Sequence, residues 1–205
     1  QPLELRAVSG RLGGKRLVVA VGRLVPRKGF DKTISAWARV RAAHPDAQLV
    51  IIGDGPQRAE LQALADASGV AGSITLTGAV SDADLLSAYR SASLFVMPNR
   101  TMPDGDTEGF GLVFLEANAC GRAVIGGRAG GAVEAVRDGE SGLLVNGENV
   151  DEIADAIIRV LGDDAMRARL EAGGLKHAQA NSWANRVRIF QDLCRKLQSK
   201  GEHNV

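Results

Sequence analysis

Leu17-Val-Val-Ala-Val-Gly-Arg-Leu-Val-Pro-Arg-Lys-Gly-Phe30 begins with five apolar residues, breaks at Gly22, and resumes at Phe30 as a segment of helical period. Five apolar residues in a row are of strand length, and a strand apolar on both faces needs helices above and below it. The same grammar recurs outward from this stretch. Strands are expected at Leu17–Val21, Gln48–Ile52, Ile74–Thr77, Leu94–Met97, Ala123–Ile125 and Leu143–Val145, most of them followed by glycine. Between them, Phe30–Ala43 carries Ile34, Trp37 and Val40 on one stripe, Gln57–Ser68 carries Leu61 and Leu64, and Asp82–Ser91 follows Ser81 as an N-cap. From Val150 onward the pattern is wholly helical: Asp151–Leu161, Asp164–Ala180, and Ser182–Ser199 with Ser182 as a cap. Strands alternating with helices predict an α/β protein with an open parallel sheet, helices on both faces in three α/β/α layers, and an all-helical C-terminal end.

Composition narrows the class. At 205 residues, with 45% hydrophobic and 24% charged positions, the chain can bury a full core and reads as a single domain, 1–205. A formal net charge of +1 with no run of basic residues argues against nucleic acid as a partner. The apolar runs are too short to span a bilayer and no signal-peptide core opens the chain, so a cytoplasmic location is expected. Cys120 and Cys194 lie in helical contexts without a CxxC or a nearby histidine, and read as packed thiols rather than as a disulfide or metal site.

In an open parallel sheet, ligands bind beyond the carboxyl ends of the strands, so the loops there are the place to look. After the first strand, Gly22-Arg-Leu-Val-Pro-Arg-Lys-Gly29 leads into a helix, and Arg23 and Lys28 could hold a diphosphate as a planar fork and a point charge. The plain alternative is a solvated basic turn. Gly53-Asp-Gly-Pro56 after the second strand is explained by turn geometry alone, although such a turn can lie beside a ligand. Gly78-Ala-Val-Ser81 after the third exposes main chain near Val80 that could meet a nucleobase edge. After the fourth, a polar loop from Pro98 to Thr107 leads to Glu108-Gly-Phe-Gly-Leu-Val-Phe-Leu-Glu116, two carboxylates about two helical turns apart. Gly109 and Gly111 leave the amides at this helix start unobstructed, and the two carboxylates could grip different hydroxyls of one elongated ligand. Asp104-Gly-Asp106 looks like the Asp-x-Asp pair that holds a divalent metal in many enzymes of another fold, but it is first of all turn chemistry, and no metal is expected. Gly130-Gly131, opening a further segment with Glu134, could present amides to a phosphate or could be helix-start geometry.

Taken together, Arg23-x4-Lys28, Gly53-Asp-Gly-Pro56, Gly78-Ala-Val-Ser81, Glu108-x7-Glu116 and Gly130-Gly131 with Glu134 resemble the C-terminal domain of GT-B glycosyltransferases, specifically the large retaining family 4. The resemblance runs from about Leu17 to the last helix. Pro98-Asn-Arg-Thr and Glu108-Gly-Phe-Gly-Leu look most like the branch containing mannosyltransferases that act on phosphatidylinositol mannosides. The resemblance implies a Rossmann-like domain that binds a UDP- or GDP-hexose as donor, without a metal or other cofactor. Arg23 and Lys28 would bind the donor diphosphate, Glu108 the sugar hydroxyls, and Glu116 the ribose. Amides at Gly109, Phe110, Gly111 and Leu112 would approach sugar and phosphates, main chain at Val80 would meet the base, and Gly22, Gly53, Gly130 and Gly131 would border the donor.

A whole GT-B enzyme has two such domains, the N-terminal one carrying the acceptor site. Here one is expected, with the acceptor-binding domain missing and the last helix, through Val187, Phe190 and Leu193, left to pack elsewhere. Such a chain would bind donor but not glycosylate alone. In the full-length protein that missing domain could meet an acceptor lipid at the inner membrane surface. A non-catalytic nucleotide-sugar-binding subunit of the same fold predicts the same ligand contacts and stays open. A nonhydrolysing epimerase would need acid–base residues beside the sugar, and His44, His177 and His203 are poorly placed for that. A nicotinamide-dependent dehydrogenase would need G-x-G-x-x-G after the first strand, which is absent.

Overall fold

A computed structural model describes residues 16–201, with side chains as far as residue 195. The strands are β1 (Leu17–Val21), β2 (Gln48–Ile52), β3 (Ile74–Gly78), β4 (Leu94–Met97), β5 (Val124–Gly127) and β6 (Gly142–Val145). The helices are α1 (Phe30–Ala43), α2 (Arg58–Ala67), α3 (Asp82–Ser91), α4 (Leu112–Ala119), α5 (Ala132–Ala135), α6 (Val150–Gly162), α7 (Asp164–Ala180) and α8 (Trp183–Gly201). The expected order is thus borne out, with differences at the ends. β5 runs two glycines past Ile125 because Gly126 and Gly127 still pair with Leu144 and Val145 of β6. Single-turn 3-10 helices at Pro26–Lys28 and Ala71–Ser73 were not legible, since three residues carry no period.

All six strands run parallel in the order β3-β2-β1-β4-β5-β6. Every residue of β1 and β4 is buried, as their unbroken apolar runs require, whereas the edge strand β3 alternates and leaves Thr75 and Thr77 half-buried. Helices cover both faces: α1 packs against α2 and α6 on one, and α4 against α3, α5 and α7 on the other. The core gathers Trp37, Phe30, Phe95 and Phe114, all fully buried. The Trp37 indole N–H donates to Ser73 Oγ at 3.0 Å, so its one polar atom is satisfied inside the core.

What matters for function is the reversal of chain order between β1 and β4, which lie side by side through Val18 opposite Leu94 and Val19 opposite Phe95. The chain leaves β1 toward one face and β4 toward the other, and the loops diverge over a crevice at the strand ends. The loop after β1 carries Arg23 and Lys28. The loop after β4 carries Glu108.

Candidate functional site

Across that crevice Lys28 Nζ meets Glu108 Oε2 at 2.5 Å, joining residues 80 positions apart. Both side chains are nearly enclosed, 10% and 12% exposed, so each charge depends on the other in place of water. Lys28 is therefore paired, not free as a phosphate clamp would need; a phosphate reaching it shares or displaces Glu108. Gly22 lies against this ammonium: a Cβ there would sit 3.6 Å from Lys28 Nζ. Arg23 beside it is exposed and makes no side-chain hydrogen bond or ion pair among the described residues. Its guanidinium is left to the crevice.

The basic loop is held by its neighbours. Leu24 N donates to the Asp54 carbonyl at 2.9 Å, Gln57 N to the Leu24 carbonyl at 3.1 Å, and Gly53 N to the Gly78 carbonyl at 2.9 Å, which stitches together the turns after β1, β2 and β3. A Cβ on Gly53 would lie 2.0 Å from the Gly22 carbonyl oxygen, so Gly53-Asp-Gly-Pro56 is fixed by close packing. The Gly22 and Gly53 amides are engaged with backbone carbonyls and can offer a ligand proximity only. Val80 lies half-buried beyond the edge strand β3.

The loop carrying Glu108 is clasped along its length. Arg27 pairs with Asp106 at 2.9 Å, and the buried Arg100 pairs with Asp31 at 3.0 Å and Glu148 at 3.2 Å. The fully buried Asn99 donates to the Ala129 carbonyl and accepts from Gly127 N, at 2.8 and 2.9 Å. Asn99 and Arg100 belong to the Pro98-Asn-Arg-Thr stretch on which part of the resemblance rests, but no role was expected of either side chain, because a polar pair in a loop does not announce its burial. Asp104 caps its own turn, accepting from Asp106 N at 3.0 Å, so both aspartates of Asp104-Gly-Asp106 have local roles. Among the described residues no cluster of three or more His, Cys, Asp or Glu residues could hold a metal ion.

Gly111, at φ 85°, caps α4, and Phe114 lies directly beneath it. A side chain at Gly111 would be strained twice, by backbone and by the Phe114 ring 2.6 Å from its Cβ. This fixes the α4 entry so that the amides of Gly109, Phe110, Gly111 and Leu112 have no acceptor among the described residues. Four open amides at a helix start form a nest for negative charge or hydroxyl oxygen. Gly131 N instead donates to the Glu108 carbonyl at 2.8 Å, and a Cβ on Gly131 would lie 2.0 Å from the Gly109 carbonyl oxygen. Of the Gly130-Gly131 pair only the Gly130 amide is without an acceptor among the described residues; Gly131 is a packing contact that supports the Glu108 turn.

Glu116, further along α4, is exposed and accepts from the Tyr89 hydroxyl at 2.9 Å. It borders a groove of about 670 Å3 shared with Phe110, Leu112, Trp183 and Arg186. Burial, then the Glu116 charge, holds the Tyr89 phenol protonated far above its ordinary range. Of the histidines weighed as acid–base groups, His44 Nε2 sits 3.0 Å from the Ile158 carbonyl, and His177 is buried near Asn181, both away from the crevice. His203 lies outside the described residues.

Fold and site together define a parallel α/β protein with a crevice at the switch between β1 and β4, cationic on one rim and acidic with open amides on the other. The chain belongs to the glycosyl transferases group 1, whose family model matches residues 3–177. It is 41% identical over 178 residues to the GDP-mannose-dependent alpha-(1-6)-phosphatidylinositol monomannoside mannosyltransferase of Mycolicibacterium smegmatis, covering 86% of this chain and 46% of that protein. Among solved structures it resembles sucrose-phosphate synthase from Thermosynechococcus elongatus, with 31% identity and a TM-score of 0.78 over 95% of this chain and 48% of that one. HepE of Anabaena, solved with UDP and glucose, matches with 27% identity and a TM-score of 0.78 over 96% and 51%. The chain thus spans about half the length of the relatives it matches. No helix among the described residues is long and apolar enough to cross a membrane.

Proposed function

We propose that this chain is the donor-binding half of a retaining, metal-independent hexosyltransferase, holding a nucleoside diphosphate hexose in the β1/β4 crevice. The observation that carries the reading is the Lys28–Glu108 pair at 2.5 Å, with Arg23 and the four amides at the start of α4 without partners among the described residues. Arg23 and Lys28 take the diphosphate, Glu108 and the Gly109–Leu112 amides the hexose, Glu116 the ribose, and main chain near Val80 the base. Gly22 and Gly130 border the donor, and Gly53 and Gly131 hold the turns beside it by close packing. Negative charge grows on the departing phosphate during glycosyl transfer, and fixed cations with a helix start stabilise it where it develops. The chemistry needs no metal in this arrangement. GDP-mannose is the first donor to test, given the mannosyltransferase relative, and UDP-glucose the second. An acceptor-binding domain completes the active site, and its acceptor is a lipid at a membrane surface; alone, the chain binds donor without transferring it.

A thermal-shift series with GDP-mannose, UDP-glucose and the bare nucleotides tests the reading. A donor at a hundredfold its dissociation constant stabilises the fold by about 2.7 kcal/mol. No shift with any of them at millimolar concentration would sink the proposal, and robust transfer by the isolated chain would sink its incompleteness.

A further inference from the structure

Tyr89 lies on α3, is 3% exposed, and sends its hydroxyl across to Glu116 Oε2 on α4 at 2.9 Å. Its ring is fixed by a run of aromatic contacts: Tyr89 meets Phe95 at 5.9 Å between centroids, and Phe95 meets Phe114 edge-on at 5.6 Å. Phe114 in turn lies beneath Gly111, the residue that sets the entry of α4. A hydroxyl held so rigidly has one direction in which to donate. Glu116 Oε1 has no partner among the described residues, and the residue borders the groove of about 670 Å3. An exposed glutamate left alone samples many rotamers, and binding a ligand then costs their loss.

We propose that Tyr89 is a positioning residue, which fixes the Glu116 carboxylate so that its free oxygen faces the vicinal hydroxyls of a ribose. This rests on the assignment of Glu116 to the ribose made above. Burial of the phenol keeps it protonated, so it donates at every working pH. A vicinal diol needs both oxygen directions of its acceptor defined, and a swinging carboxylate meets it only part of the time. The alternative is a bond that merely satisfies a buried phenol.

The two differ in what they predict for the ligand. Affinities of the full 205-residue chain are measured by calorimetry for GDP and UDP and for their 2′,3′-dideoxy counterparts. The native chain is expected to prefer the ribonucleotides. Tyr89→Phe narrows that preference roughly three- to tenfold, the scale of one lost hydrogen bond, by weakening ribonucleotide binding alone. Glu116→Gln removes most of it. An unchanged preference in Tyr89→Phe alongside its loss in Glu116→Gln overturns the Tyr89 assignment and leaves Glu116 standing. An unchanged preference in both overturns the ribose assignment and the proposal with it, as does failure of the native chain to bind either ribonucleotide.

Discussion

Arg23 and Lys28 lie five positions apart in one loop, yet they stand differently in the folded chain: Arg23 exposed and without a partner among the described residues, Lys28 enclosed with Glu108. Their substitutions should therefore separate. Arg23→Ala is expected to leave thermal stability unchanged and to weaken nucleoside diphosphate binding by about 1.5–3 kcal/mol, the scale of a charge-assisted contact, as calorimetry would show. Lys28→Met or Glu108→Gln should each destabilise the fold by about 1–3 kcal/mol, below the range of fully enclosed pairs, and the double variant by less than their sum. Additive losses in urea would mean the pair contributes nothing jointly. Glu108→Gln should also weaken a nucleotide sugar more than the bare nucleotide. The placement of these side chains was readable, because the strand pattern puts a cationic loop after β1 and two acids around a glycine-rich helix start after β4. The pairing was not: residues 80 positions apart meet only because β1 and β4 are neighbours. Tyr89 escaped for a similar reason, since on its own helix it reads as a core aromatic.

At the scale of elements, α7 shows where local rules mislead. Gly173 and Gly174 sit inside the helix, where alanine ordinarily stabilises by about 1 kcal/mol. Here a Cβ on Gly173 would lie 2.0 Å from the Glu140 carbonyl oxygen, and one on Gly174 would lie 2.4 Å from Asn118 Nδ2. These glycines let α7 press against the turn before β6 and against α4. Gly173→Ala should therefore destabilise by about 1–3 kcal/mol despite its propensity, measured as a lower urea midpoint. The same helix carries His177, whose basicity is lowered by burial first and by the Arg137 charge second. An unfolded chain takes up this proton near pH 6.5, whereas the folded one resists it until lower pH. The unfolded state thus binds more protons in that window, and stability rises with pH through it and is lost as pH falls below about 6.5. His177→Gln should flatten this part of the pH profile; a profile of unchanged slope would mean the imidazole protonates freely in place. Element type and order followed from period and punctuation. Their fit did not, because small residues inside a helix announce only that something comes close, not what.

Across the molecule, one face of α8 is without a neighbour among the described residues: Trp183 is 78% and Phe190 66% exposed, with Val187, Ile189 and Leu193 more than half exposed as well. An apolar stripe of that extent contributes nothing to the folding of this chain, so Phe190→Ser should change its stability by less than about 0.5 kcal/mol. A large loss of stability on that substitution would mean that α8 packs on the domain in solution. The expectation that Val187, Phe190 and Leu193 pack elsewhere is met by nothing among the described residues.

The sequence alone determined the layers, since unbroken β-branched runs must be covered on both faces and the segments between them carry the period to cover them. It also determined which loops hold charge, because those residues cannot be buried in a sheet core without partners. Tertiary structure decided which charges meet, which amides stay open and which glycines are contacts. Those depend on distances between segments far apart along the chain, set by strand order and helix packing, and no local pattern encodes a distance of that kind.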